Sequence, residues 1–246
     1  MRLSLVIPVF NGSPFIEASV SAALRYLEHA SDGAELIVVD DGSHDATAAI
    51  LESIAAPGNG LRLLRSPENR GKGYAVREGM RAARGERVVF TDADLAYPLE
   101  EIEKILHALD DGADVAIATR VSPDSRFVMR PALFSYFYTR HVCSRLFNRF
   151  VQHSLGLAVA DCQAGLKGFR RAAAEAIFSR QTLEGFTFDV EVLFIALRLG
   201  LKVREVAVTF NYFSEQTTVD FLRDSWRALR DVWRLRQNAH RGRYAS

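Results

Sequence analysis

Within the first half of the chain, five short apolar runs alternate with four segments of helical spacing. Leu3–Val9, "ELIVVDDGS", "LRLLRS", "ERVVFTDAD" and "ADVAIATR" read as strands, each rich in β-branched or aliphatic residues. Pro14 to Glu28, Asp45 to Ile54, Gly73 to Ala83 and Leu99 to Leu109 read as helices between them. A strand that returns through a helix pairs with its predecessor in parallel, so the pattern specifies an α/β fold around a mostly parallel sheet flanked by helices. In such sheets ligands bind beyond the carboxyl ends of the strands. The polar residues collect at those ends: Asn11 after the first strand, Asp40 and Asp41 after the second, Asp92 and Asp94 after the fourth, Arg120 after the fifth.

The second half is less regular. Arg130 to Leu155 reads as helical and aromatic, "AGLKGFRR" as a strand with a helix from Ala172, and "FTFDVEVLFIALRLG" as a helix closed by Gly200. "KVREVAVTFNY" alternates and reads as one strand, and Val219 to Gln237 as a final helix. No repeat or linker divides the 246 residues, and 48% hydrophobic content is enough for a substantial core, so one domain is expected over 1–246. The regular half runs over about 1–120 and the less regular one over about 121–246.

Thirty-one basic against 30 acidic side chains leave a net charge of +1, which provides no field to attract nucleic acid. Two cysteines, Cys143 and Cys162, are too few for a disulfide framework and read as buried thiols in a reducing, cytoplasmic setting. "MRLSLVIPVFNG" reads as a strand rather than a signal peptide, and no apolar stretch is long enough to cross a bilayer. Any membrane contact is therefore expected to be peripheral.

Asp92 and Asp94 have two readings. Two hard oxygen donors suit Mg²⁺ or Mn²⁺, while an Asp in a turn also caps backbone N–H groups. Asp40 ends a strand, so its carboxylate can accept from the ring N–H of a uracil or guanine. Asp41 can hold a ribose hydroxyl or brace the turn, and Ser43 and Asp45 read as caps of the following helix. "NRGKGYAVREGM" sets glycines around Lys72 before a helix, either a phosphate cradle or an ordinary glycine turn. It has neither Walker nor dinucleotide spacing. Asp189 and Glu191 are two apart on one helix and diverge by about 200°, so only one faces the site, and Asp189 is expected to be that one. His153 has no partner at metal-ligand spacing and reads as a packed or exposed residue. The final helix carries Leu222, Trp226, Leu229 and Trp233 beside Arg223, Arg227, Arg230 and Arg234. That stripe suits either an anionic membrane surface or packing on the domain, and packing is the expectation. The aromatics Phe134, Phe137, Tyr138, Phe147 and Phe150 suit either a lipid or a core.

In their order and spacing, "LSLVIPVFNG", "ELIVVDDGSHDAT", "NRGKGYAVREGM", "GERVVFTDADLAYPLEEI", "GADVAIATR", "DCQAGLKGFRR" and "FTFDVEVLFIALRLGLKVREVAVTF" resemble glycosyltransferase family 2. The similarity is to its dolichyl-phosphate and polyprenyl-phosphate glycosyltransferase branch, and it covers about residues 3–212. It implies a GT-A fold and an inverting, metal-dependent transfer of a hexose to a polyprenyl phosphate. The donor implied is UDP-glucose, with GDP-mannose as the alternative nucleotide sugar. Pro8, Phe10 and Asn11 would line the nucleotide pocket, Asp40 would meet the base and Lys72 the diphosphate. Asp92 and Asp94 would address the metal and the donor. Arg120, Arg126 and Arg130 would hold the acceptor phosphate, a cationic group whose one nearby acid in sequence is Asp124. Asp161, Gln163 and Lys167 would shape the sugar pocket. Asp189 would orient an arginine or the donor sugar, or serve as base if the acceptor were a hydroxyl. The chain departs from the resemblance at "FSEQTTV", where relatives carry a Gly-Ser-Lys-like segment.

Four rivals stand beside this expectation. A family 2 enzyme acting on a soluble or lipid hydroxyl would share the donor site. A nucleotidyltransferase would need a glycine-rich loop that "VIPVFNGSPF" does not supply, and a processive synthase a Gln-x-x-Arg-Trp motif that is absent. A non-catalytic nucleotide-sugar binding module would have no use for the Asp92–Asp94 pair.

Overall fold

The computed structural model describes residues 2–29, 33–56, 58–129, 145, 148–212 and 221–244, with backbone alone at 221–226 and 228. The first half alternates as expected: β1 (Leu3–Val9), α1 (Ile16–Glu28), β2 (Ala34–Asp40), α2 (Thr47–Ile54), β3 (Leu61–Arg65), α3 (Lys72–Ala82), β4 (Arg87–Phe90), α4 (Glu101–Asp110) and β5 (Val115–Thr119). Then come β6 (Arg126–Met129), helical backbone over 148–155 (α5), β7 (Lys167–Arg170), α6 (Arg171–Phe178), α7 (Phe188–Arg198), β8 (Val203–Ala207), β9 (Thr209–Tyr212) and α8 (Phe221–His240). Arg130, Phe134, Phe137, Tyr138, Cys143 and Phe147 lie outside the described residues, as does the 213–220 segment.

Seven strands form one sheet in the order β3-β2-β1-β4-β7-β5-β8. All its pairings are parallel except those of β7, which runs antiparallel to both β4 and β5. Because β7 is reversed, its first residue, Lys167, sits opposite Phe90 and Ile117 near the carboxyl ends of the parallel strands. Residues entering β7 therefore arrive at the ligand edge.

Both faces of the sheet are covered, which is why its strands read as unbroken apolar runs. Val6, Ile37, Val39, Val88 and Phe90 pack in one cluster with residues of α3, α6 and α7. Leu5, Ile7, Leu36, Val38 and Val89, the alternate residues, pack in a second cluster with residues of α1 and α4.

"KVREVAVTFNY" is two strands rather than one. It breaks at buried Val208: β8 pairs with β5 in the main sheet, while β9 pairs in parallel with β6 in a separate two-stranded sheet. Arg126 N donates to Val208 O at 3.0 Å, so the partner changes there. The side-chain period is unchanged across that break, so the alternation carries no sign of it.

The sheet reverses its winding between β1 and β4, the usual place for a ligand crevice. Thr91 N donates to Val6 O, whereas Asp41 N donates to Val9 O. Even-numbered residues of β1 thus face β4. Pro8 is one of them, buried just past the last registered pair, Val6 with Phe90. With no N–H to offer, it releases β4 from the ladder at that point and lets the two strands part.

Candidate active site

The loop after β4 carries the aspartate pair. Asp94 Oδ1 accepts from Ala96 N at 3.0 Å, and Leu95 between them takes φ +48°. The turn reading is thus correct for one oxygen of Asp94, and the residue as a whole is exposed at the rim. Three contacts fix the loop. Asn211 N of β9 donates to Ala96 O at 2.7 Å, the Tyr97 ring meets Phe210 edge-on at 5.0 Å, and Gly165 N donates to Tyr97 Oη at 3.3 Å. A left-handed non-glycine residue is a source of strain, and here it is held from three sides.

Asp92 Oδ1 pairs with Lys72 Nζ at 2.5 Å, and both side chains are partly buried. Its other oxygen lies against the backbone of Gly165, where a Cβ would come within 1.9 Å of Oδ2. Surrounding protein raises the Asp94 carboxyl above its ordinary value, and the neighbouring Asp92 charge adds to this. Burial opposes the charge on Lys72, but the carboxylates of Asp92, Asp189 and Asp94 outweigh it and raise the ammonium. Asp189 is buried and pairs with wholly buried Lys167 at 2.5 Å. Burial pushes Asp189 up even against Lys167 and Lys72. A line of charged groups, the acids Asp94 and Asp92, then Lys72, Asp189 and Lys167, therefore runs from the rim into the core.

Asp40 is fully buried at the end of β2. Its Oδ1 accepts from Ser43 N at 3.0 Å, while its Oδ2 receives no hydrogen bond and has Arg65 Nε 3.4 Å away as a charge neighbour. A buried carboxylate oxygen without a donor is costly, and the ring N–H of a base is the type of group that would satisfy it. Asp41 braces rather than reaches out. It accepts from Arg70 N at 3.1 Å and Gly71 N at 2.6 Å and so holds the loop that presents Lys72. Asn11, at φ +51°, accepts from His44 N at 2.9 Å, and Asn11 N donates to Ser43 Oγ. Ser43 therefore ties two loops together instead of capping α2. Asp45 does cap it, through Thr47 N at 3.0 Å. Phe10 is half-buried, edge-on to His44.

The glycine cradle around Lys72 is not open. Gly73 N and Tyr74 N, at the start of α3, both donate to Glu184 O, at 2.7 and 3.2 Å. A Cβ on Gly71 would meet that carbonyl at 2.5 Å, and one on Gly73 would meet Leu183 O at 2.5 Å. These glycines admit the 183–185 segment to the helix end. An anion at this point would rely on the Lys72 side chain.

The arginine expectation needs correction. Arg120 is not a free phosphate clamp: its Nε and one terminal nitrogen fork onto Asp161 at 2.7 and 2.9 Å, and its N–H bonds the same carboxylate at 3.1 Å. Burial opposes that charge, but Tyr97 and Asp161 raise the guanidinium, and Arg120 in turn holds Asp161 below its ordinary value against the effect of burial. Asp161 lies 41 positions away, so no local reading supplies it. Arg126 is exposed on β6, and Arg130 is outside the described residues. Lys167, fully buried, has no surface to offer a sugar. Asp189 orients a lysine rather than an arginine. Gln163 N donates to Asp161 Oδ1 at 3.3 Å.

Glu191 is as buried as Asp189 but points into a structural knot. It accepts from Thr182 N, Thr182 Oγ1, Leu183 N and Tyr244 Oη, all between 2.6 and 2.9 Å. His153 is exposed, and buried Cys162 is a free thiol pushed up to about 12 by burial. Gly165, Glu184 and Tyr97 were not singled out from sequence. The one signal for Gly165 was its place inside "DCQAGLKGF".

Among the described residues no group of three or more His, Cys, Asp or Glu converges as a metal-binding set. Asp92 and Asp94 together offer two hard oxygen donors, which fits a divalent ion that takes its remaining ligands from phosphate and water. No helix among the described residues is long and apolar enough to cross a membrane.

The fold superposes on that of glucosyl-3-phosphoglycerate synthase from Mycobacterium tuberculosis in complex with uridine diphosphate. The TM-score is 0.66 at 20% identity, covering 95% of this chain and 79% of that one. A structure of the same enzyme with Mn²⁺, UDP-glucose and phosphoglyceric acid gives 0.65 at 20% identity and the same coverage. The fold is that of the GT-A glycosyltransferases. The sequence profile of Glycosyl transferase family 2 matches residues 4–178, and the chain belongs to that family. Among its relatives are the dolichyl-phosphate beta-glucosyltransferases of Dictyostelium discoideum and Homo sapiens. The first is 30% identical over 254 residues, covering 95% of this chain and 77% of the relative. The second is 31% identical over 256 residues, covering 96% and 78%. Glycosyltransferase AglD of Haloferax volcanii is 32% identical over 242 residues, and the match spans 96% of this chain but 38% of that protein.

Proposed function

We propose that this glycosyltransferase moves glucose from UDP-glucose to a polyprenyl phosphate with inversion, at the cytoplasmic face of a membrane. The observation that carries the reading is the Lys72–Asp92 pair beside rim-exposed Asp94, the two groups a nucleoside diphosphate and its cation would each engage. The relatives' names support glucose and a lipid phosphate.

In this reading residues 1–120 hold the donor. Asp40 Oδ2 accepts from the uracil ring N–H, and Phe10 and Asn11 form the wall of the nucleotide pocket. Pro8 contributes by opening the crevice. Lys72 reaches for the diphosphate, and Asp92 and Asp94 would together hold Mg²⁺ or Mn²⁺. When bound, that ion would neutralise charge on the departing diphosphate. Residues 121–246 serve the acceptor. A phosphate oxygen bonds to the anomeric carbon as the bond from that carbon to the UDP oxygen breaks, and the electron pair leaves with UDP. An anionic phosphate needs no base. A hydroxyl acceptor would need one, and Asp189 is buried in its ion pair with Lys167.

The test incubates the chain with radiolabelled UDP-glucose, Mn²⁺ and a polyprenyl phosphate in detergent. Label is expected in the lipid phase. Label found only in water-soluble glycosides would sink the acceptor assignment. Asp94→Asn should lower turnover by about 10²–10³-fold, the scale of losing one preorganised electrostatic group, with no loss of melting temperature.

A further inference from the structure

α8 has three distinct faces. Val232 and Leu235 are 4% and 0% exposed and, with Asn238, pack on the body. Arg227, Arg230 and Arg234 form a second face. They line a cleft of about 630 Å³ whose other wall includes Arg70, Lys72 and Phe186. The third face carries Leu229 and Trp233, 42% and 60% exposed. At 100° per residue these two lie about 40° apart, and Trp233 points about 160° away from Leu235. The expectation that this apolar stripe packs on the domain is therefore wrong for both described members; the side chains of Leu222 and Trp226 are outside the described residues.

A large aromatic and a leucine held outward beside three arginines match an anionic lipid surface in both polarity and charge. The cleft has the same sign. Of its two acids, Asp231 is buried and Glu184 is paired with Arg70 and Arg77. The cleft also ends at Lys72, the residue next to the aspartate pair.

We propose that α8 seats on an anionic membrane with Leu229 and Trp233 in the interface, and that Arg230 and Arg234 receive a lipid phosphate in the cleft leading to Lys72. This rests on the lipid-phosphate acceptor proposed above and supplies the anion site that Arg120, engaged by Asp161, does not. Arginines at headgroup level and an inserted Trp on one helix would bring the acceptor to the donor without a membrane span.

Flotation with vesicles of phosphatidylcholine alone or mixed with phosphatidylserine tests the docking without requiring activity. Each arginine near the surface should strengthen anionic binding about fivefold, an effect that falls with salt. Both tryptophans of the chain, Trp226 and Trp233, lie in α8, so a blue shift of emission on binding reports this helix alone. Leu229→Asp with Trp233→Asp should abolish flotation and leave the melting temperature unchanged, since both side chains are exposed. Equal flotation of this variant and the wild type would overturn the docking. So would a concentration-dependent dimer that the same variant abolishes, because the face would then meet a second copy.

Arg230→Gln with Arg234→Gln should raise KM for polyprenyl phosphate at least tenfold and leave KM for UDP-glucose unchanged. A rise in the UDP-glucose KM instead would assign the cleft to the donor, and tighter binding of inorganic phosphate than of the lipid would assign it to a soluble anion. Either result overturns the lipid site. Flotation without any lipid glycosylation would count against the proposed acceptor alone. Lipid glycosylation with flotation indifferent to α8 would count against this inference alone.

Discussion

Gly165→Ala places a methyl group on the aspartate that matters most. The new Cβ would lie 1.9 Å from Asp92 Oδ2 and 2.5 Å from its Cγ. Ordinary contact between such atoms is about 3.5 Å, so the carboxylate must move by about 1.5 Å. It has room to do so, because the Asp92 side chain is 31% exposed and can swing to solvent. The stability cost should therefore sit at the low end of overpacking, about 1 kcal/mol, which is a drop of about 2–4 °C in melting temperature for a chain of this size. The functional cost should be much larger. A displacement of about 1 Å in a positioned group costs about 10²-fold in rate. Titration of Mn²⁺ in the presence of UDP, alongside steady-state kinetics and a melting curve, separates the two effects. The expected outcome is weaker Mn²⁺ binding and about 10²-fold lower kcat/KM in a protein that melts nearly as the wild type does. Wild-type turnover in Gly165→Ala would refute the placement of Asp92 in the machinery.

Two further outcomes follow from the charge network. Lys167→Met leaves Asp189 buried without its cation and should destabilise by about 3–5 kcal/mol; adding Asp189→Leu should restore most of that in urea unfolding. Failure of the double variant to recover would mean that Lys167 is held for another reason. On acidification, activity should fail before the fold does. Asp94 is raised above its ordinary 3.8, so its carboxylate protonates, and donor binding weakens, as pH falls through that raised value. Ionised Asp94 costs stability, so this protonation does not itself unfold the chain. Asp161 is lowered, so its stabilising contribution is complete above its ordinary value and is lost only as pH falls through the depressed one. Kinetics and circular dichroism across the acid range should give separated transitions, and coincident ones would contradict the assignment.

The reading of the first half succeeded because its signals are local. β1 matches Leu3–Val9 residue for residue, and α3 begins at Lys72, one residue before the expected Gly73. β6 was missed because four residues of "RFVM" carry too little alternation to stand out from a loop, and its partner β9 lies far along the chain. Asp41 left two roles open in sequence, a ribose contact or a brace, and the backbone of Arg70 and Gly71 in front of it settles on the brace. Glu184, whose carbonyl takes up the first N–H groups of α3, had no sequence signature at all, since any residue supplies a carbonyl.

By itself the sequence determined the layered fold, the family and the edge of the sheet where acids and bases collect. Apolar period, turn chemistry and motif spacing act over a few residues, so they survive in one dimension. Tertiary structure decided which charges are free. Arg120 became the partner of an acid 41 positions away, Lys167 was closed off behind Asp189, and the Trp233 face of α8 was turned outward while Leu235 was turned in. Charge pairing and the choice of a helix's buried side depend on neighbours brought together only by folding, and no local pattern encodes those distances.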